Sequence, residues 1–167
     1  DMNFNKSNAF SGQLPKKLVL GLVDNDAFNG IFQKNPFNFK HYNLTSLSVY
    51  MNGEPVTGKP IELRFGQHKS YIDGYLSLFL GTNKMNDNAG MAVTRTEYAE
   101  GYTLFAFDLT SDLSEGGHLE LVRRGNVKIE LRFAQGLPNP VILIAYAVFD
   151  NIIEITRERE IILDYTE

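Results

Sequence analysis

Apolar and polar residues alternate with a period of two along much of the chain. In 126–133, NVKIELRF, the residues Val127, Ile129, Leu131 and Phe133 fall on one side and Lys128, Glu130 and Arg132 on the other. Successive side chains of an extended strand point to opposite faces, so this pattern predicts a strand with one buried face. The same alternation runs through Leu18, Leu20 and Leu22, through Leu47, Val49 and Met51, and through Ile61, Leu63 and Phe65. Phe105, Phe107 and Leu109 repeat it, then Leu119 and Leu121. The stretch 141–149, VILIAYAVF, is apolar without a break, which predicts a strand covered on both faces. Pro138 and Pro140 limit it before, and Asp150-Asn151 after. The tail IIEITREREIILDY accommodates one more strand or two short ones. The expected strands are 16–23, 44–51, 60–65, 102–110, 118–123, 126–133, 140–149 and 152–163.

Turn and helix signals punctuate these strands. Asn52-Gly53 predicts a two-residue hairpin turn, and Arg124-Gly125-Asn126 predicts another tight turn. In 69–80, KSYIDGYLSLFL, the residues Ile72, Leu76, Phe79 and Leu80 stand at helical spacing, with Gly74 as a weak point. Thr94 and Glu97 form a capping pattern that opens a second short helix over 94–100, ended by Gly101. Between the helices, GTNKMNDNAGMAV predicts an exposed, mobile loop. Residues 1–13 predict a flexible N-terminal segment and 14–167 a single domain. Many short strands joined by Gly, Pro and Asn point to an all-β sandwich or barrel, with one or two short helices inserted between strands.

Composition narrows the function classes. At 167 residues, with 43% apolar and 22% charged positions, the chain suffices for one folded core, which excludes disordered, collagen-like and coiled-coil chains. Sixteen basic residues against twenty acidic ones give a net charge of −4, the wrong balance for a protein whose work is neutralising phosphates. No direct sequence-specific nucleic-acid partner is therefore expected. Cysteine is absent, which removes disulfides, thiol catalysis and thiolate metal sites. The longest apolar run has nine residues, where a membrane-spanning helix needs about twenty, so no membrane association is expected. The opening DMNFNKSNAFSG shows neither a basic nor an apolar targeting region, so no signal peptide is expected. Without one, the sequons at Asn5 and Asn43 read as chance matches.

Candidate chemistry is sparse. His41, His68 and His118 are scattered, and none has the close spacing of a histidine metal site. No nucleophile elbow and no phosphate-cradling glycine loop occurs. Asp24, Asp26, Asp108, Asp112 and Glu115 are the carboxylates nearest a paired acid/base site, and DNDAFNG superficially suggests a calcium loop. The calcium spacing fails, and turn chemistry explains the Asp, Asn and Gly residues more simply. The chain reads as no enzyme, with no cofactor and no metal. NPFNFKHY, residues 35–42, places Phe37, Phe39 and Tyr42 close behind Phe32. Clustered aromatics in a loop either plug the end of a sandwich or anchor a neighbouring subunit, and both readings stand. Stacking on single-stranded nucleic acid has only Lys34, Lys40 and His41 in its support.

Several strings together resemble one family. LPKKLVLGLVDNDAFNG, NPFNFKHYNLTSLSVYMNGEPV, EYAEGYTLFAFDLT and FDNIIEITREREIILDY resemble the capsid-protein-like family of Polinton/Maverick-type elements and the related adintoviruses. The resemblance runs from Leu14 onward, and NPFNFKHYNL is its most specific part. It implies an eight-stranded antiparallel jelly-roll sandwich and carries no catalytic residues. It also implies partners that are other copies of the chain or sister capsid proteins, a trimer in the full-length context, and residence in a virion capsid assembled in the host cytoplasm or nucleus. Major capsid proteins of this kind hold two jelly rolls. The chain would then be the C-terminal half of one, which the Asp1 start fits, or a separate single-jelly-roll component. One point resists. A tight turn at Gly125-Asn126 would make 118–123 and 126–133 hairpin partners, whereas the sixth and seventh strands of a simple jelly roll lie in opposite sheets.

The expected function is that of a structural, capsid-type protein acting by self-assembly. Its contact surface is expected in 26–42 and 81–101, on Phe32, Pro36, Phe37, Phe39, Tyr42, Met85 and Met91. The alternative is a β-sandwich ligand-binding module that recognises a glycan or receptor, against which the lack of tryptophan and of a signal peptide count.

Overall fold

The computed structural model describes residues 2–66, 69–85, 91–110, 121–151 and 153–163. In chain order the elements begin with β1 (Asn3–Gln13), β2 (Lys17–Asp24), α1 (Asn25–Phe28), β3 (Leu44–Met51), β4 (Glu54–Pro55) and β5 (Ile61–Glu62). The two longer helices follow, α2 (Ile72–Gly81) and α3 (Arg95–Glu100), and then β6 (Leu104–Asp108), β7 (Arg124–Phe133) and β8 (Val141–Val148). A terminal hairpin, β9 (Ile153–Ile155) and β10 (Ile161–Leu163), completes them. The fold is mostly β, with antiparallel sheets packed together as in a sandwich. One sheet runs β1-β7-β3-β4 with β5 beside β3, another runs β6-β2-β8, and β10-β9 stands apart.

The alternating residues explain the packing. Leu18, Leu20, Leu22, Phe105 and Phe107 from one sheet meet Leu47, Val49, Val127, Ile129, Leu131 and Phe133 from the other. Each such side chain contributes about 1.5–3 kcal/mol on burial. The two outer faces differ in character. On the β7–β3 face Lys128, Glu130 and Arg132 stand with Ser46, Ser48 and Tyr50, and Lys128 pairs with Glu130 at 2.6 Å. That hydrogen-bonded ammonium holds the Glu130 carboxyl below its ordinary value. The other side of β6-β2-β8 instead carries Val19, Val23, Ala106, Ile142, Ile144, Tyr146 and Val148, of which Val23 and Ala106 are buried and Tyr146 and Val148 exposed.

Several expectations need correction. Residues 3–13, read as a flexible segment, form β1, which pairs with β7 from Asn3↔Arg132 to Gln13↔Arg124. Its residues are mostly polar and exposed, so the partner strand and not an apolar stripe holds it extended. Gly125 and Asn126 do not turn the chain, because they lie inside β7 opposite Gly12 and Ser11. The expected strand 118–123 lies partly outside the described residues, and Leu121, Val122 and Arg123 are not in a strand. Among the described residues, therefore, no hairpin turns at Gly125-Asn126. The 60–65 strand shrinks to β5 plus an isolated Arg64↔Ser70 bridge.

The stretch 141–149 does supply a strand, but β8 lies at a sheet edge and is not covered on both faces. Tyr146 is 63% exposed, and Val148 and Phe149 are exposed with it. Asn52-Gly53 turns β3 into β4 as expected, with φ of 54° and 89°. Thr94 and Glu97 close a capping box at α3. The tail resolves into the shorter alternative, two strands. Among the described residues no helix is long and apolar enough to cross a membrane.

Candidate interaction surface

The DNDAFNG segment is a helix start. The Asp24 carboxylate accepts from the Asp26 amide at 2.9 Å and the Ala27 amide at 3.2 Å, capping α1. This is the turn chemistry expected of the segment. Lys34 then reaches back to Asp24 and to Asp26, both at 2.8 Å. The Lys34 hydrogen bond, helped by the two amides, holds the Asp24 carboxyl below its ordinary value. The Asp24 and Asp26 hydrogen bonds hold the Lys34 ammonium above its own. The ion pairs cinch the loop shut at its base.

Two residues before Lys34, within the turn from Ile31 to Lys34, Phe32 is fully exposed, at 102% of its reference area. Pro36 is exposed beside it, and Asn35 Oδ1 accepts from the Phe37 amide at 2.9 Å, fixing a turn that presents Phe37 at 73% exposure. Phe39 turns the other way. Its backbone bridges Tyr102, and its ring covers Gly21, where a Cβ would lie 2.8 Å from the ring. Tyr42 is half-buried, and burial followed by the nearby Asp24 charge raises its hydroxyl above the ordinary value. Tyr42 and Asn43 both adopt positive φ, 47° and 54°, and the Asn43 amide donates to His41 Nδ1 at 2.9 Å.

The expected contact residues therefore divide. Phe32, Pro36, Phe37 and Met85 face solvent, whereas Phe39 and Tyr42 pack inward. Met91 is half-buried against the core, with its sulfur 3.9 Å from Thr82 Oγ1. An open cleft of about 390 Å³ is lined by Asp24, Lys34, Asn35, Asn38, Lys40 and Tyr42.

The remaining candidates do not converge. His41 stacks on Phe65 at 4.1 Å, and burial holds its imidazole below the ordinary value. The stack continues through Phe65 and Tyr71 to Tyr98, with the Arg95 guanidinium 5.2 Å from the Tyr71 ring. Asp108 is buried and accepts from the Thr110 amide and hydroxyl at 2.9 and 2.6 Å. His68, His118, Asp112 and Glu115 lie outside the described residues. Among the described residues no cluster of three or more metal-binding side chains forms.

Sequence reasoning missed the exposed apolar residues of the C-terminal third. Leu121, Val122, Tyr146, Val148 and Phe149 are exposed, as are Ile153, Ile155 and Ile161 of the last hairpin. The signal was present in VILIAYAVF, whose composition serves an open edge as well as a buried strand.

No family model matches the chain, and no solved structure matches it. The uncharacterized protein F54H12.2 of Caenorhabditis elegans is 33% identical over 158 residues. That match takes in 93% of this chain and 38% of the relative, so the chain spans well under half of the relative's length.

Proposed function

We propose that this domain is a non-enzymatic assembly module of capsid type, in which exposed loop aromatics seat on neighbouring subunits. The observation that carries the reading is Phe32, fully exposed in the Ile31–Lys34 turn that Lys34 pins to Asp24 and Asp26. A phenylalanine left in water forgoes about 1.5–3 kcal/mol of burial. Held on an anchored loop beside Phe37, it is placed as an interface anchor that loses little entropy on docking.

Strand order supports the finer reading of a jelly roll. In that fold the first strand pairs with the last, the last with the third, and the second with the last but one. Here β1 pairs with β7, β7 with β3, and β2 with β6. On this assignment β4, β5 and α2 occupy the places of the middle strands, and β8 is an addition beside β2. The resemblance to Polinton and adintovirus capsid proteins supports the same reading, with partners that are copies of the chain or sister capsid proteins in a virion.

The test is light scattering of the chain over a concentration series, with and without Phe32→Ser and Phe37→Ser together. Self-association weakened tenfold or more in the double variant supports the reading, and an unchanged mass distribution overturns it. One observation favours a second reading, a glycan-binding module: the polar cleft of about 390 Å³ is lined by Gln33 and Asn38, the sequence neighbours of Phe32 and Phe37, together with Tyr42. A glycan array without reproducible hits removes it.

A further inference from the structure

The sheet edges are unequally guarded. At β6, helix α2 brings Gly81 so close that a Cβ there would lie 2.3 Å from the Ala106 carbonyl carbon, and Phe105 to Leu109 are all buried. The free side of β1 is rich in asparagine, carries Lys6, and breaks register between Lys6 and Phe10. Polar residues and irregular register both discourage further pairing. β4 and β5 are only two residues long. β8 has none of these devices. Val141–Val148 contains no charge, no proline and no glycine, and its register with β2 is unbroken from Lys17↔Val148 to Asp24↔Val141. Among the described strands it pairs with β2 alone.

We propose that the open edge of β8 pairs antiparallel with β8 of a second copy, joining two β6-β2-β8 sheets into one across a two-fold axis. Charge favours this occupant. Because β8 is uncharged, no register of self-pairing sets like charges opposite one another. Each end of the strand is bracketed by charges paired within the protomer. Near Val141 Lys34 is shared between Asp24 and Asp26, both at 2.8 Å, which leaves that end one negative charge in excess, and near Val148 Lys16 meets Asp150 at 3.3 Å. Antiparallel pairing brings the first of these ends beside the second end of the partner, so the two acid-rich ends are held apart. The outer row Ile142, Ile144, Tyr146 and Val148 then continues across the axis. β8 is the one unguarded edge of the two packed sheets among the described residues, and β9 and β10 are only three residues long, so pairing closes at two copies instead of running on as a filament.

The proposal stands on the edge alone and uses residues separate from the Phe32–Phe37 loop. Its test is light scattering combined with amide hydrogen exchange. The expected result is a dimer that remains after Phe32→Ser and Phe37→Ser have removed the larger species joined through the loop, with protection of the β8 amides that point away from β2. Tyr146→Lys, at an exposed position, is expected to halve the mass and abolish that protection with the circular dichroism unchanged. Ser46→Lys on the polar face of the other sheet, and the Phe32→Ser and Phe37→Ser pair, are expected to leave this dimer intact. A wild-type monomer at every concentration overturns the proposal, as does a dimer or trimer that Tyr146→Lys does not disturb. Should Tyr146→Lys perturb the fold, exchange in the wild type decides. Unprotected outward amides in the dimer overturn the proposal.

Discussion

Asn52 and Asn126 are joined by two hydrogen bonds, the Asn126 amide donating to Asn52 Oδ1 and the Asn52 amide to the Asn126 carbonyl, each 2.9 Å long. The pair fastens the β3–β4 turn to the beginning of β7. It also explains Gly125, where a Cβ would lie 2.0 Å from Asn52 Oδ1. Gly125→Ala is expected to expel the Asn52 side chain and to cost about 1–3 kcal/mol in chemical denaturation. Asn52→Gly keeps the turn's positive φ and loses only the side-chain bond, so it should cost less than Asn52→Ala.

Phe39 and Phe32 should behave oppositely. Phe39→Ala uncovers Gly21 and is expected to destabilise the fold by about 1–3 kcal/mol, somewhat less than a fully buried phenylalanine. Phe32→Ala should stay within about 0.5 kcal/mol of the parent, because its ring touches little of the protomer. Urea titrations of both variants check the division of the loop into an inward and an outward half.

That division was hidden in the sequence, and the reason is physical. Composition marks residues 35–42 as aromatic, but the direction of each ring depends on the gap above Gly21 and on the left-handed pair Tyr42 and Asn43. By contrast, β2, β3 and β7 were plain from alternation, because each has one face in the core. β1 was invisible because β7 holds it in place and its own side chains contribute few apolar contacts. Gly125 misled for a related reason: a glycine serves tight turns and close approaches equally, and here it makes room for Asn52. The exposed Phe32 lay within a segment that the sequence did single out, whereas the open edge of β8 did not show because a strand buried on both faces uses the same residues.

Burial lowers the imidazole of His41 from its ordinary value of 6.5, so the folded protein resists its protonation. The unfolded chain then binds more protons than the folded one as pH falls through about 6.5. Stability attributable to this group is therefore complete above that pH and declines below it, levelling once the folded-state value is passed. Thermal melts between about pH 7.5 and pH 5 are expected to fall more steeply for the parent than for His41→Gln.

Asp24 acts with the same sign at lower pH, its contribution to stability being lost as the carboxylate is protonated. Its carboxyl is held down first by Lys34, so it should titrate below the ordinary 3.8 when followed by NMR. Lys34→Met is expected to move it back up and to speed amide exchange across 25–34. No change in that titration would remove the ion pair as the clasp of the loop.

Tyr98 is fully buried, and its hydroxyl has no hydrogen-bond partner among the described residues. Desolvation pushes that hydroxyl well above its ordinary value. Tyr98→Phe removes an unpaired polar atom while keeping the ring stacked on Tyr71 and edge-on to Phe105, so it should hold stability level or raise it by about 1–2 kcal/mol in urea titration.

The strand pairings also fix an order of events during synthesis. β1 and β2 emerge before the strands they pair with: β2 must wait for β6 and β8, and β1 for β7. Some eighty residues separate the end of β2 from the start of β6, which at about 5–20 residues per second is an interval on the order of ten seconds. Throughout it Leu18, Leu20 and Leu22 have no sheet partner to cover them. The nascent chain, more than the finished sandwich, is where this protein depends on being shielded.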